Sequence, residues 1–429
     1  MVKRLRRLWV WFFFVGSAIG PGIIAGTANN DAGGISTYSF AGSKFGYLLL
    51  WVLTANLITL ACTQEIGVRL GAFTGKGLAA LIRERFGVRW TMFALGILLL
   101  ANTAVAISEF AGVAAALEIF HISKYFSIPI LAIIVWVFLY KGSFKKIERF
   151  FLTISLFFLV YLASAWMSRP DWSMVIQAAG TPYLSLEPGY FLALLGIMGT
   201  TITPWGQFFI QSYVVDKGMG SKHFRVERWE VYFSALFTCI IAAAIIITTK
   251  GVLFDRGIVV DNAEKAALSL TPVLGVFAQD IFAAGFFFAS LLGAFILPLT
   301  TSYSICEALG FEHGINTKWK QAPWFYGIIT FVVVSSAIFV LLPFISLFKT
   351  MIFAQVLNGI LLPIILVFLV LLFHDRARLG LPPVSRLGSA IYGFITWEAI
   401  IRLTLISFLL VIIILFPSLL DIIRAWLIR

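Results

Sequence analysis

From Leu8 to Phe40 the chain is apolar for longer than a bilayer is thick, yet the middle of that run reads Gly26-Thr-Ala-Asn-Asn-Asp-Ala-Gly-Gly34. A soluble fold could place such a stretch in any loop. A membrane-length helix cannot, because a carboxylate at bilayer depth is costly unless something compensates it. Asp31 is therefore a functional candidate from the outset. Paired Gly33 and Gly34 lower the cost of unwinding, and unwound backbone at that depth is tolerated only where it is buried or lines a cavity. The stretch reads as the broken middle of a discontinuous helix. Its free carbonyls and the Asp31 carboxylate together form a cation site.

Composition decides the solvent. Of 429 residues 60% are apolar and only 12% charged, with a mean hydropathy of +0.98. A water-soluble domain of this length needs more polar surface, so the expectation is an all-α polytopic membrane protein. Runs of about 20 apolar residues, enough to cross ~30 Å of hydrocarbon, parse into eleven transmembrane spans. They cover 8–40 (broken), 46–68, 91–118, 125–140, 149–167, 189–214 (broken), 229–250, 278–308, 323–343, 347–373 and 396–427, the last starting as early as Ile391. The opening MVKRLRR resembles a signal-peptide start but lacks a small-residue cleavage pattern, so it reads as a retained first span. Cys62, Cys239 and Cys306 fall inside apolar spans at unrelated spacings and read as small core residues, not as a metal or disulfide framework.

The formal charge of +12 could suggest nucleic acid, but its distribution points elsewhere. With a cytoplasmic N-terminus, the N-terminal segment and inner loops hold 22 of the 32 Lys and Arg residues, including Arg69, Lys76, Arg83, Arg85 and Arg89 after the second span. That asymmetry is the positive-inside rule, and it predicts a multi-pass cell-membrane protein with its N-terminus inside and its C-terminus outside. The basic balance belongs to the inner membrane face, and no nucleic-acid partner is expected. The longest outer loops, Ser168–Pro188 and Gly251–Pro272, are short caps, so residues 1–429 form one membrane domain. Asp255, Asp261 and Glu264 on the second cap read as solvated loop charges.

The sixth span repeats the anomaly of the first. It reads Gly196-Ile-Met-Gly-Thr-Thr-Ile-Thr-Pro-Trp-Gly-Gln207. Pro204 removes a backbone donor and clashes with the preceding turn, and the flanking glycines weaken the helix. Each interruption opens a group of five spans, and the two groups start with opposite orientation. Interruptions at corresponding places in two halves point to an inverted-repeat transporter with its site at the midplane. The expected halves are 8–167 and 189–373, with 391–429 an extra C-terminal helix.

Residues at these places also carry a family resemblance. GPGIIAGTANNDAGGISTYSFAGSKFGYLLLWVL, followed by RLGAFTGKGLAALIRERFG, resembles the start of the Nramp family of divalent-metal transporters, and the likeness runs on to AQVLNGILLPIIL in the tenth span. The resemblance implies a leucine-transporter-type fold, a 5+5 inverted repeat with discontinuous first and sixth helices, and an alternating-access metal site. The departures matter as much. Where the family has Asp-Pro-Gly-Asn at the first break, Asp31 is kept but its Pro and Asn are Ala32 and Gly34. The family's Met-Pro-His in the sixth span is Thr203-Pro204-Trp205. An acid three residues before the Glu matching Glu109 is Ala106, and the tenth-span Gln before Leu-Pro is Leu361. The ninth span, Trp324–Leu342, contains no arginine.

A thioether discriminates for soft transition metals, whereas hydroxyls, carboxylates and carbonyls suit hard cations. Thr203 in place of Met removes that discrimination, and Gly34 in place of an amide enlarges the site. Mg²⁺ dehydrates reluctantly and keeps several waters, so a roomy site with one acid suits it partly hydrated. The substitutions resemble the Nramp-related magnesium transporter branch. The implied ligands, direct or through water, are Asp31, the Ala28 carbonyl, the Thr200 carbonyl and Thr203, with Asn30, Gly34, Gln207, Gln355 and Asn358 around them. With Trp205, Ala106 and no ninth-span arginine, the family's proton relay looks dismantled, and uncoupled uptake is expected; Glu109 and Glu65 remain as in-span acids that could titrate. Glu398 and Arg402, four apart, read as a structural ion pair. Two other readings stand beside this one, a proton-coupled Mn²⁺ or Fe²⁺ transporter and an organic-solute carrier of the same fold. No Cys–His, Ser–His–Asp or metal-hydrolase spacing is present, so neither enzyme activity nor a resident cofactor is expected, and no obligatory protein partner is evident.

Overall fold

The computed structural model describes residues 30–141, 157–185, 187, 189–216, 218, 220–221, 223–314 and 317–415. These residues are helices and their connections, with no β-strand among them. Two half-length helices frame the site, α1 (Ala32–Phe45) and α8 (Tyr190–Thr201), the latter continued by α9 (Pro204–Asp216). Between them lie α2 (Leu50–Thr74), α3 (Leu78–Phe86), α4 (Val88–Glu118), α5 (Lys124–Lys141), α6 (Phe158–Met167) and α7 (Trp172–Gly180). After them come α10 (Phe224–Val252), α11 (Ala278–Leu309), α12 (Pro323–Leu341), α13 (Leu347–His374) and α14 (Arg386–Leu415), with short helical turns between 254 and 277.

Seven of these regions are long and apolar enough to cross a membrane, those containing α4, α5 and α10 to α14. They fall on the expected third, fourth, seventh and eighth to eleventh spans. The sixth span is the α8–α9 pair. The second is α2, whose 25 residues include Glu65 and Arg69. The first and fifth spans are described only in part. Large apolar side chains stand bare on the outer faces, among them Phe126 at 68% and Phe394 at 74% exposure. Hydrocarbon accommodates such a surface and water does not.

Packing sorts the helices into two bodies. One holds α1, α2, α8, α9 and α10, and the other α4, α5, α11 and α12; α13 touches both, and α14 lies on α13 and α2. Small residues set the closest approach. A methyl on Gly199 would overlap the Gln355 carbonyl oxygen and the Gly359 amide nitrogen, and one on Gly359 would come within 2.7 Å of the Leu195 carbonyl oxygen. Such glycines let membrane helices pack backbone to backbone. This corrects the reading of Gly196 and Gly199 as helix weakeners, because α8 runs unbroken through them to Thr201, and the sixth span breaks only after that residue. Arg69 is corrected too, since it lies within α2 and not in a loop.

Candidate metal centre

Helix α1 starts at the acid. Asp31 is its N-cap, with extended backbone, and its Oδ1 accepts the Gly34 N–H at 2.7 Å. It satisfies one of the donors a helix start leaves open, at the positive end of the half-helix dipole. Gly33 and Gly34 are therefore first-turn helical residues and not unwound backbone. Gly34 serves through its N–H, and Gly33 makes room, since a side chain there would overlap the Gln355 amide.

Gln355 and Asn358 sit one turn apart on α13, both fully buried. Gln355 Nε2 lies 3.5 Å from Asp31 Oδ1, and Asn358 Nδ2 donates to Gln355 Oε1 at 3.0 Å. Asn358 thus reaches the acid through Gln355. Leu361 is buried one turn further along α13.

Glu109 comes to the same point from α4. It is fully buried, its Oε2 lies 3.5 Å from the Ala32 N–H, and its carboxyl adjoins that of Asp31. Gly293 of α11 leaves the space it occupies, because a Cβ there would stand 2.7 Å from Glu109 Oε2. Ala106, one turn back along α4, is buried. Two acids therefore converge on one helix start, and among the described residues neither pairs with a basic side chain. A cavity of ≈ 10 Å³, about the room one water needs, is lined by Asp31, Trp205 and the stretch of α11 from Ala289 to Leu297.

The second break is narrow. α8 ends at Thr201, Ile202 is extended, and α9 begins at Pro204. Thr203 Oγ1 accepts the Gly206 N–H at 3.2 Å, so Thr203 caps α9 while Pro204 takes the first helical position, where its missing N–H costs nothing. Pro204 starts a helix here; it does not kink one. The Ile202 N–H bonds the Met198 carbonyl, and the Thr200 carbonyl belongs to the open C-terminal set of α8, at the negative end of its dipole. The Thr200 hydroxyl, the Trp205 indole N–H and both amide atoms of Gln207 are buried without a hydrogen-bond partner among the described residues.

The other candidates divide. Asn30 is fully buried but turns to α10, its Nδ2 3.5 Å from the Thr238 carbonyl oxygen. Ala28 lies outside the described residues. Glu65 is no free acid. Its Oε1 is 3.0 Å from Arg69 Nη2 and 3.4 Å from Arg228 Nε, and its Oε2 accepts the Tyr232 hydroxyl. Arg402 Nε is 2.8 Å from Glu398 Oε1, the expected structural pair. All three cysteines are buried and free. His313 and His374 bond nearby carbonyls through Nδ1. Among the described residues no three His, Cys, Asp or Glu side chains gather as a metal cluster. Sequence reasoning missed the wall that α11 gives the cavity and the place of Trp205 in it. The trace of that wall in the sequence is the small pair Ala289 and Gly293.

Paired half-helices meeting at a buried acid define the class, a leucine-transporter-type fold. The solved structure of Mhp1, a nucleobase-cation-symport-1 family transporter, shares it at a TM-score of 0.55 and 13% identity, covering 92% of each chain. A manganese transporter of Eremococcus coleocola, solved as a mutant, superposes better, with a TM-score of 0.73 at 21% identity over 92% of this chain and 86% of that one. The chain belongs to the Nramp family, described as natural resistance-associated macrophage protein-like, which it matches over residues 22–423. Among its relatives is the divalent metal cation transporter MntH of Caldanaerobacter subterraneus, 28% identical over 62% of this chain and just under two thirds (65%) of that protein's length. MntH of Brucella suis is 27% identical over 85% of this chain and 82% of its own.

Proposed function

We propose that the protein is an alternating-access transporter of divalent metal ions, with Mg²⁺ its main substrate and Mn²⁺ also carried. Family membership and the activity for which the MntH relatives are named support the divalent-cation class. One observation carries the choice of ion: among the described residues, the groups that meet around Asp31 are the Glu109 carboxyl, the Gln355 amide and the Trp205 indole, with no sulfur lining the cavity. Thr203 stands where the family's thioether is expected, and the nearby Met351 thioether is taken by the Ser36 hydroxyl at 3.5 Å. Oxygen ligands suit a hard ion, and the unpartnered Thr200, Trp205 and Gln207 groups suit the waters such an ion retains.

Residues 1–429 act as one transport domain, with repeats 8–167 and 189–373 and an added helix from 391. The N-terminus is cytoplasmic and the C-terminus outside. Uptake is driven by the membrane potential, about 2.3 kcal/mol per charge per 100 mV, without proton movement. Buried Ala106 and the engagement of Glu65 by two arginines favour this. The placement of Glu109 beside Asp31 favours the second reading, a proton-coupled Mn²⁺ or Fe²⁺ carrier. Mg²⁺ influx into proteoliposomes with internal pH followed separates the two. Influx without acidification supports the proposal, and Mn²⁺ or Cd²⁺ uptake with acidification and no Mg²⁺ flux overturns it.

A further inference from the structure

A carrier of this build moves one body against the other around a fixed site, so bonds between the bodies away from the site decide which side is shut. At the end of the molecule rich in basic residues, such bonds converge on Glu307, in the last turn of α11. Its Oε1 accepts the Gly77 N–H at 2.8 Å, and its Oε2 accepts the Ser212 hydroxyl at 3.4 Å. Ser212 belongs to α9, and Gly77 ends the short link Gly75–Gly77 that joins α2 to α3. The same link is held from α9, where Gln211 donates Nε2 to the Lys76 carbonyl at 2.8 Å. Beside it, Arg83 of α3 donates to the Ala308 carbonyl at 2.7 Å and so caps the end of α11. Gly75, at φ +66° with open space around it, is built to pivot. One carboxylate of the α4–α11 body therefore grips both the link after α2 and the side of α9. Hydrogen bonds to an ionised acceptor are the strong kind.

We propose that Glu307 is the latch that keeps the basic end closed, and that releasing Gly77 and Ser212 lets α2 and α9 swing away from α11 to open the site on that side. The inference rests on the transporter reading. Glu307 lies ten residues along α11 from Leu297, the last of the cavity's lining, and acts as a positioning residue.

The test is a distance measured across that end. Nitroxides are placed at Arg225→Cys on α10 and Lys320→Cys after α11, both exposed, in full-length protein in nanodiscs with Cys62, Cys239 and Cys306 replaced by alanine. Glu307→Ala is expected to move the distribution to longer distances. Glu307→Gln, which keeps a neutral acceptor for Gly77, should lengthen the distance less than Glu307→Ala. Gly77→Ala supplies an independent break, since its backbone (φ −72°, ψ 164°) tolerates alanine while the methyl would overlap the Glu307 carboxylate. It should lengthen the distance without removing a charge. Parent-like distances in folded Glu307→Ala and Gly77→Ala overturn the latch. Should Glu307→Ala not fold, Gly77→Ala decides alone. If Mg²⁺ shifts the parent distance while the variants match the parent, only the latch fails; if neither Mg²⁺ nor any variant shifts it, the moving-body reading fails as well.

Discussion

Asp31 and Glu65 are both acids buried at membrane depth, and their surroundings differ in kind. Glu65, 0% exposed, receives Arg69, Arg228 and Tyr232. Asp31, 5% exposed, receives a backbone N–H and an amide, with a second carboxyl beside it and a cavity in front. A buried charge needs a partner. Among the described residues the chain supplies cations to Glu65, which ties α2 to α10, and only neutral donors to Asp31. That condition is what supports the proposal that Asp31 receives a cation from outside.

The largest effect should come from removing the unpaired acid. Asp31→Ala should cut Mg²⁺ uptake in proteoliposomes by at least ~100-fold, as loss of a direct ligand exceeds the 10–100-fold cost of losing an outer partner. It should cost the folded protein little more than the α1 cap, about 1 kcal/mol by thermal unfolding. Glu65→Ala should do the reverse. It leaves Arg69 buried without its partner, so thermal unfolding should reveal a loss of about 3–5 kcal/mol, while the folded fraction still binds Mg²⁺. Equal behaviour of the two variants in both assays would break the comparison.

Smaller changes sharpen it. Gly33→Ala should displace the Gln355 amide and raise the KM for Mg²⁺ by roughly 10-fold, in the range for an outer partner of a metal ligand, with little change in maximal rate. Thr203→Met should bring in Cd²⁺ uptake, read by a fluorescent indicator, because a thioether prefers soft ions. Glu398→Ala should matter least for transport. Glu398 is 43% exposed but Arg402 only 13%, so losing the acid should cost about 1–3 kcal/mol in the same unfolding assay, less than Glu65→Ala.

Much of the fold was legible because hydrocarbon imposes length and polarity on every span. Apolar runs located the long helices, and Pro204 with Gly196 and Gly199 marked the sixth span as unusual. The meaning of those residues was not legible. Gly199 reads as a helix weakener until Gly359 is brought against it, since a close backbone crossing involves two distant segments. Gly33 and Gly34 read as unwound backbone until Asp31 is seen to cap the helix they begin. Glu65 reads like Asp31, as an in-span acid, because Arg228 lies far from it in sequence.

By itself the sequence determined that this chain lives in a bilayer, that its sixth span is broken, and that Asp31 interrupts the apolar run of the first. Those conclusions follow from local chemistry, the cost of a charge or a proline at membrane depth. Tertiary structure alone decided that Gln355 and Glu109 come to Asp31, that Asn30 turns to Thr238, and that α11 walls the cavity. The reason is physical: a hydrogen bond or an ion pair depends on separation in space, and helix packing brings residue 31 to residues 109 and 355.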